Sequence, residues 1–152
     1  MHESFAKLLS ELKRKYELLM EMAPQTVDTV PALTPKGGVY LFTENGKHLY
    51  AGRTKRNIGK RLKDHVGTAK DCPFAWRLAK EATGKKATYK KAGSRADLLA
   101  DPSFLTTYEA AKLRIRKMEV RYVAEEDPLR QALLEIYVAV VSKAAHNDFD
   151  TH

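Results

Sequence analysis

The chain carries one acidic residue in its most apolar stretch, and that residue is a candidate for chemistry. Glu135 stands in the run from Ala132 to Val141, which is apolar on nearly every side of a helix. A helix of this composition is expected to be buried. A buried carboxylate is costly unless it is protonated, paired with a cation or bound to a metal ion. Glu135 is therefore a candidate metal ligand, and a salt bridge to one of the arginines is the alternative.

Two tyrosines stand beside glycines in neighbouring segments. The first motif is Gly38-Val39-Tyr40 and the second is Tyr50-Ala51-Gly52. A correctly placed tyrosine can move a proton during a reaction. Tyrosines in strands usually serve in packing, so each motif by itself is also explained without any function.

A cation and a histidine are spaced by one helical turn. Arg61 and His65 are four residues apart, so on a helix they share one face. Arginine binds a phosphate through two donors, and histidine bonds an oxygen or transfers a proton near neutral pH. A surface pair without any role is the alternative.

The positive charge of the chain is uneven. Its formal net charge is +8, yet the segment from Lys47 to Arg95 holds fifteen Lys or Arg against three acids, a balance of +12 that leaves −4 elsewhere. An excess of this size indicates a surface that binds a polyanion, and a solvated lysine surface is the alternative. The predicted nucleic-acid-binding residues are Arg53, Lys55, Arg56, Lys60, Lys63, Arg77, Lys85, Lys86, Lys90 and Lys91.

The elements that would position these residues follow from hydrophobic periodicity and from turn residues. Apolar residues recur at helical spacing from Ser4 to Met22, and prolines then mark an extended connection as far as residue 35. A lysine-rich segment from Gly84 to Arg95 is expected to be mobile. We predict helices at Asn57–Val66 with Asn57 as N-cap, at about Pro73–Thr83, at about Pro102–Lys117 and from Pro128 to about Ala145, and a strand at Glu119–Ala124.

A hairpin is predicted around Asn45-Gly46. This dipeptide permits a two-residue type I′ turn, which pairs Tyr40 with Ala51 and leaves both sheet faces mixed. A three-residue loop ending in a bulge pairs Tyr40 with Tyr50 instead and separates the faces. The two registers differ by one residue, and such a slip moves side chains to the opposite face of the sheet. We predict the second register, because it separates the two faces more cleanly. The strands are Gly38–Thr43 and His48–Ala51, and one face then holds Tyr40, Phe42, His48 and Tyr50.

The bulk properties limit the class of protein. A length of 152 residues suits one domain with its own core. The lone Cys72 allows no internal disulfide, no secretory signal is visible, and the longest apolar run is too short to span a bilayer. We therefore expect a cytoplasmic protein without a membrane partner. The expected parts are an N-terminal helix and connection at 1–35 and a core at 36–147, with a helical insertion at about 67–117.

The ordered set of motifs resembles the GIY-YIG nuclease superfamily. That family carries Gly-Ile/Val-Tyr, then Tyr-Ile/Val-Gly, then an arginine, a histidine or tyrosine one turn later, a glutamate and an asparagine. Ala51 departs from the branched residue of the second motif, and a histidine at position 65 is similar to the restriction-endonuclease branch. The resemblance spans Gly38 to Asn147 apart from the 67–117 stretch. The matching residues are Tyr40, Tyr50, Arg61, His65, Glu135 and Asn147.

The resemblance implies a fold and a reaction. The fold is α/β (α+β), a small three-stranded antiparallel sheet flanked by helices. The reaction is the metal-dependent hydrolysis of a DNA phosphodiester, with Glu135 holding one Mg²⁺ or Mn²⁺. The implied roles are Tyr40 as general base with Tyr50 beside it, His65 as proton partner, Arg61 as the clamp on the scissile phosphate, Arg53 and Lys55 on flanking phosphates, and Asn147 as a support.

Two other functions agree with the same residues. A non-catalytic nucleic-acid-binding module on this fold would explain the basic segment equally well, and it would not need a buried Glu135. A nuclease specific for flaps or branches would share the site and differ in its DNA structure. The chain is expected to act as a monomer or, for a palindromic target, as a homodimer.

Overall fold

The computed structural model describes residues 2–68, 72–84 and 95–147. Within these ranges the chain is an α+β protein whose three strands form an antiparallel sheet flanked by helices, which confirms the predicted fold class. The elements are α1 (Glu3–Glu21), β1 (Lys36–Glu44), β2 (Lys47–Asn57), α2 (Ile58–Asp64), α3 (Pro73–Thr83), α4 (Arg95–Ala100), α5 (Pro102–Lys117), β3 (Glu119–Ala124) and α6 (Pro128–Ser142).

Several element bounds agree with the sequence prediction and others do not. Helices α3 and α5 and strand β3 have the predicted bounds. Helix α2 is shorter than predicted and ends at Asp64, and α6 ends at Ser142 rather than near Ala145. Helix α4 was not predicted. Residues 85–94, which make up most of the predicted mobile segment from Gly84 to Arg95, lie outside the described residues.

The chain forms two compact units. The first comprises Met1–Lys63 and Met118–His152 and contains the sheet with α1 and α6. The second is Asp64–Lys117 and contains α3, α4 and α5. The division into one domain with an insertion stays a prediction. In the part of the chain that the structure describes, no helix combines the length and apolar character needed to cross a lipid bilayer.

The core of the first unit lies between one face of the sheet and the helices α1 and α6. The sheet order is β2-β1-β3, so β1 is central. Helix α1 is amphipathic, and its Leu12 and Leu19 are buried. Each fully buried side chain of this kind contributes roughly 1.5–3 kcal/mol, so the pattern is sufficient to fix α1 on the sheet. The buried cluster consists of Leu12, Leu19, Val39, Leu41, Ala51, Val123, Leu134, Val138 and Ala139.

The hairpin closes with a two-residue turn at Asn45-Gly46. Asn45 has φ 51° and Gly46 has φ 78°, and Glu44 pairs with Lys47, which defines a two-residue turn of type I′. The predicted three-residue loop is therefore wrong. Glycine lacks a Cβ and asparagine tolerates the left-handed region, so this dipeptide adopts the turn without strain.

A bulge inside β2 then changes the register. Thr43 pairs with His48 but Phe42 pairs with Tyr50, which leaves Leu49 as the extra residue. Tyr40 consequently pairs with Gly52, and the predicted pairing with Tyr50 is wrong. The bulge still leaves Tyr40, Phe42 and Tyr50 on one face, with the ring centroids of Tyr40 and Phe42 5.9 Å apart. His48 pairs with Thr43 and lies on the other face, so its predicted place beside the tyrosines is wrong.

Helix α6 is not buried on all sides. Its inner face buries Leu134 and Val138, but Ile136 and Val140 are exposed on the outer face. The prediction of burial all round is wrong, because an apolar composition does not show which faces a helix covers. Glu135 lies between these faces, with 24% of its side chain exposed.

The second unit has an aromatic core. Trp76 of α3 contacts Phe104 and Tyr108 of α5 with ring centroids 5.3 Å apart in both pairs. The ammonium of the buried Lys112 lies 4.8 Å from the Tyr108 ring and donates to the carbonyl of Gly67. A buried ammonium needs such partners, so these contacts join α5 to the turn that follows α2.

Candidate active site

Tyr40 crosses the neighbouring strand at a glycine. Its Cα partner on β2 is Gly52, and a Cβ added at Gly52 would overlap the phenol ring. The glycine of the second motif is therefore required by the tyrosine of the first motif. This contact buries Tyr40 to 1% exposure and directs its ring across β2, the edge strand of the sheet.

Three of the predicted site residues lie within electrostatic reach of Tyr40. Burial raises the pKa of Tyr40 well above its ordinary value, and the neighbouring Tyr50 and Glu135 raise it further. The charge of Arg61, which also donates a hydrogen bond to the phenol, lowers the Tyr40 pKa in part. All four residues belong to the first unit. The structure thus brings together Tyr40, Tyr50, Arg61 and Glu135.

Glu135 interacts with a cation as well as with Tyr40. Its Oε1 atom is 3.7 Å from Nε of Arg53, which is an ion pair without hydrogen-bond geometry. Burial raises the pKa of Glu135 above its ordinary value, and the charge of Arg53 lowers it only in part. The salt bridge named above as the alternative to a metal ion is therefore present. Arg53 directly follows Gly52, the strand partner of Tyr40, so this ion pair lies beside Tyr40.

Helix α2 positions Arg61 through a capped first turn. Oδ1 of Asn57 accepts a hydrogen bond from the backbone N–H of Lys60 at 3.0 Å, so the predicted N-cap is confirmed. The hydroxyl of Thr34 accepts from the N–H of Gly59 at 2.9 Å. The start of the helix is therefore fixed from two sides, and Arg61 follows within the same short helix.

His65 follows α2 directly and is fully buried. The helix ends at Asp64, so His65 lies one residue beyond it, and the helical face shared with Arg61 stays a prediction. His65 also belongs to the second unit, whereas Arg61 belongs to the first. Its implied role as proton partner of a tyrosine stays a prediction.

Asn147 supports the edge strand with its side chain. Its Oδ1 accepts from the N–H of Ala51 at 2.8 Å, and its Nδ2 donates to the carbonyl of Ala51 at 2.7 Å. The backbone N–H of His146 also donates to Leu49 at 2.7 Å. The chain after α6 thereby continues the hydrogen bonding of β2 on its outer edge. It fixes the backbone between Tyr50 and Gly52.

The predicted basic residues fall into three groups. Five are exposed in the first unit, along the end of β2 and on α2. Arg77 is partly buried on α3 in the second unit. Four lie outside the described residues. The exposed residues are Arg53, Lys55, Arg56, Lys60 and Lys63. The four that lie outside the described residues are Lys85, Lys86, Lys90 and Lys91.

One carboxylate is available for a metal ion at this site. Among the described residues no three His, Cys, Asp or Glu side chains lie together in a way that could hold an ion. Mg²⁺ commonly binds one or two carboxylates, keeps several waters and completes its shell with substrate phosphates. Glu135, with 24% of its side chain exposed, fits an ion of this kind better than a fully enclosed metal cage.

Sequence reasoning missed Gln131, which is one helical turn before Glu135. Its side chain is buried, and Nε2 donates to the carbonyls of Thr54 at 2.9 Å and Glu125 at 2.8 Å. These bonds join the end of β2 to the loop before α6, and thus hold the backbone next to Arg53. A second polar residue four positions from Glu135 in an apolar helix was the available signal.

Comparison with protein-family models, with curated proteins and with solved structures finds no match to this chain. Membership of the GIY-YIG superfamily therefore stays a prediction from the six motif residues.

Proposed function

We propose that the protein is a metal-dependent endonuclease that hydrolyses phosphodiester bonds of DNA. The observation that carries the proposal is the proximity of Tyr50, Arg61 and Glu135 to Tyr40 within one unit. Packing alone does not require two phenols, a guanidinium and a half-buried carboxylate at one place. Phosphodiester hydrolysis requires positioning and charge neutralisation, which are what these groups supply.

Arg61 and the exposed cations bind the substrate. Arg61 presents two parallel donors to the scissile phosphate and stabilises the charge that develops on it. Arg53 and Lys55, both exposed on β2, bind phosphates on either side. A divalent ion held by Glu135, Mg²⁺ or Mn²⁺, would neutralise the phosphate and the departing oxygen.

The two tyrosines act on the attacking water. The pKa of Tyr40 is raised, so its phenol is neutral at physiological pH. Its oxygen accepts a hydrogen bond from Arg61, and its hydroxyl keeps its proton while donating a hydrogen bond to the attacking water, which orients the water for in-line attack. Tyr50 is only partly buried, so a proton from the water passes through its hydroxyl to solvent. Tyr40 becomes the general base only where further positive charge removes its proton.

A plasmid assay tests the proposal. Supercoiled DNA is incubated with the protein in Mg²⁺, in Mn²⁺ or in chelator, and nicked and linear products are measured. Glu135→Gln keeps the size of the side chain and removes its charge, so we expect cleavage to be lost. Glu126→Gln, at an exposed acid before α6, is the matched control and is expected to cut normally. Equal cleavage by wild type and Glu135→Gln would overturn the proposal.

A non-catalytic DNA-binding module is the second candidate, and the Glu135–Arg53 ion pair favours it. A carboxylate that only neutralises an arginine needs no metal. This candidate predicts tight binding that weakens steeply with salt and no cleavage with either metal ion. Plain duplexes, forks and flaps are compared in the same cleavage assay, because a structure-specific nuclease would cut only the branched DNA.

A further inference from the structure

Leu33 is the most exposed large apolar side chain in the part of the chain that the structure describes. It is 91% exposed, whereas the next such residue, Leu129, is 65% exposed. Single exposed apolar residues are common on proteins and need no explanation by themselves. The surroundings of Leu33 make it unusual.

The backbone on one side of Leu33 is rigidly attached to the protein. The hydroxyl of the adjacent Thr34, a buried residue, donates to Oδ1 of Asn57 at 2.8 Å and accepts from the N–H of Gly59 at 2.9 Å. The carbonyl of Pro35 accepts from the N–H of Ile58 at 3.0 Å. Prolines at positions 31 and 35 also restrict the backbone. The side chain of Leu33 is therefore held away from the protein by a fixed segment.

Three exposed cations belong to residues whose backbone adjoins the point of attachment. Lys36 is the Cα partner of Asn57 across the β1–β2 ladder, and Arg56 precedes Asn57 in the chain. The backbone N–H of Lys60 donates to the Asn57 side chain. All three cations are exposed. A fixed apolar side chain among cations is complementary to DNA, in which stacked bases lie between two rows of phosphates.

We propose that Leu33 is a wedge that enters between neighbouring base pairs of DNA while Lys36, Arg56 and Lys60 bind the phosphates beside it. Proteins that bend DNA insert apolar side chains of this kind between base steps. The inference rests on DNA as the substrate in the proposed function.

An apolar side chain inserted between base pairs unstacks the bases on either side of it. Pyrimidine–purine steps unstack most easily, so the wedge selects TA and CA/TG steps at this position.

Fluorescent duplexes test the wedge without cleavage. A duplex with 2-aminopurine at a TA step is titrated with the protein in chelator, and both binding and base fluorescence are measured. Wild type is expected to raise the fluorescence as the base unstacks. Leu33→Ala is expected to lose this rise and to bind about tenfold more weakly, because the apolar contact is removed. Leu33→Met keeps an apolar wedge and is expected to retain both signals.

Two controls separate the wedge from other effects. Leu129→Ala removes another exposed leucine of the same unit and is expected to leave both signals unchanged. Lys36→Ala is expected to reduce the salt dependence of binding while the fluorescence at saturation stays. Thermal melting of each variant shows that it is folded.

The outcomes distinguish the wedge from the nuclease. Wild-type binding without a fluorescence change, or equal signals from Leu33→Ala, overturns the wedge even if the plasmid is cut. A protein-docking role for Leu33 would appear as a change in oligomeric state with unchanged DNA binding, and it also overturns the wedge. A fluorescence rise in a protein that never cleaves DNA supports the wedge and overturns the nuclease.

Discussion

The side chain of Asn147 makes the two hydrogen bonds to Ala51 that a neighbouring strand would otherwise make. Its side-chain amide bonds both the N–H and the carbonyl of that residue, at 2.8 and 2.7 Å. Ala51 stands between Tyr50 and Gly52, so these two bonds hold the segment that carries one phenol and supports the other. An asparagine far along the sequence thus fixes the geometry of both tyrosines.

Asn147→Ala should therefore reduce stability and activity together. Loss of the amide leaves an N–H and a carbonyl of β2 without their protein partner, which costs about 1–3 kcal/mol. Asn147→Asp should be at least as damaging, because a carboxylate cannot donate to the Ala51 carbonyl and repels it. Urea unfolding and plasmid cleavage measure the two effects. Unchanged unfolding in Asn147→Ala would show that the amide does not support β2.

Gly52→Ala should be destabilising for a different reason. The added methyl group would overlap the Tyr40 ring, so the strand or the ring must move. We expect a loss of about 1–3 kcal/mol, which is usual for overpacking in a tight core. Tyr40→Ala makes room for the methyl group, so the double variant should lose less than the sum of the single variants. Additive losses in this double-mutant cycle would contradict the contact.

The sequence predicted those elements whose ends are marked locally. Pro73, Pro102 and Pro128 each open a helix at the predicted residue, because proline fits the first helical turn and fixes its own φ. The amphipathic spacing of α1 likewise predicted a helix that packs along one face. Such signals depend on a few residues that are close in the sequence, so the sequence alone contains them.

The hairpin register depended on contacts that no local pattern contains. The carbonyl of the bulged Leu49 accepts from the N–H of His146, nearly one hundred residues later in the chain. The exposed outer face of α6 shows the same limit, since composition does not tell which apolar side chains are covered. The grouping of Tyr40, Tyr50 and Glu135 was predictable only from the order of the motifs.

Arg61→Lys should separate charge from geometry. Lysine keeps the positive charge but cannot present two parallel donors to a phosphate or the same hydrogen bond to Tyr40. If Arg61 stabilises the developing charge, kcat should fall on the order of a hundredfold, as for loss of a well-placed donor, while DNA binding changes little. Lys63→Ala, at an exposed cation of the same helix, should alter binding and its salt dependence instead. Normal kcat in Arg61→Lys would remove this residue from the reaction.

Glu135→Gln should make the folded protein more stable at neutral pH while it abolishes cleavage. Burial raises the pKa of Glu135 in the folded state, so the folded protein binds this proton more tightly than the unfolded chain does. The glutamate therefore contributes most to stability below its unfolded pKa, and that contribution is lost as the pH rises through the folded pKa. At neutral pH the charged carboxylate is the destabilising form, and glutamine avoids it. Unfolding curves of wild type and Glu135→Gln should approach each other as the pH is lowered toward 4. A variant less stable than wild type at pH 7 would show that the ion pair with Arg53 stabilises the fold more than the burial of the charge destabilises it.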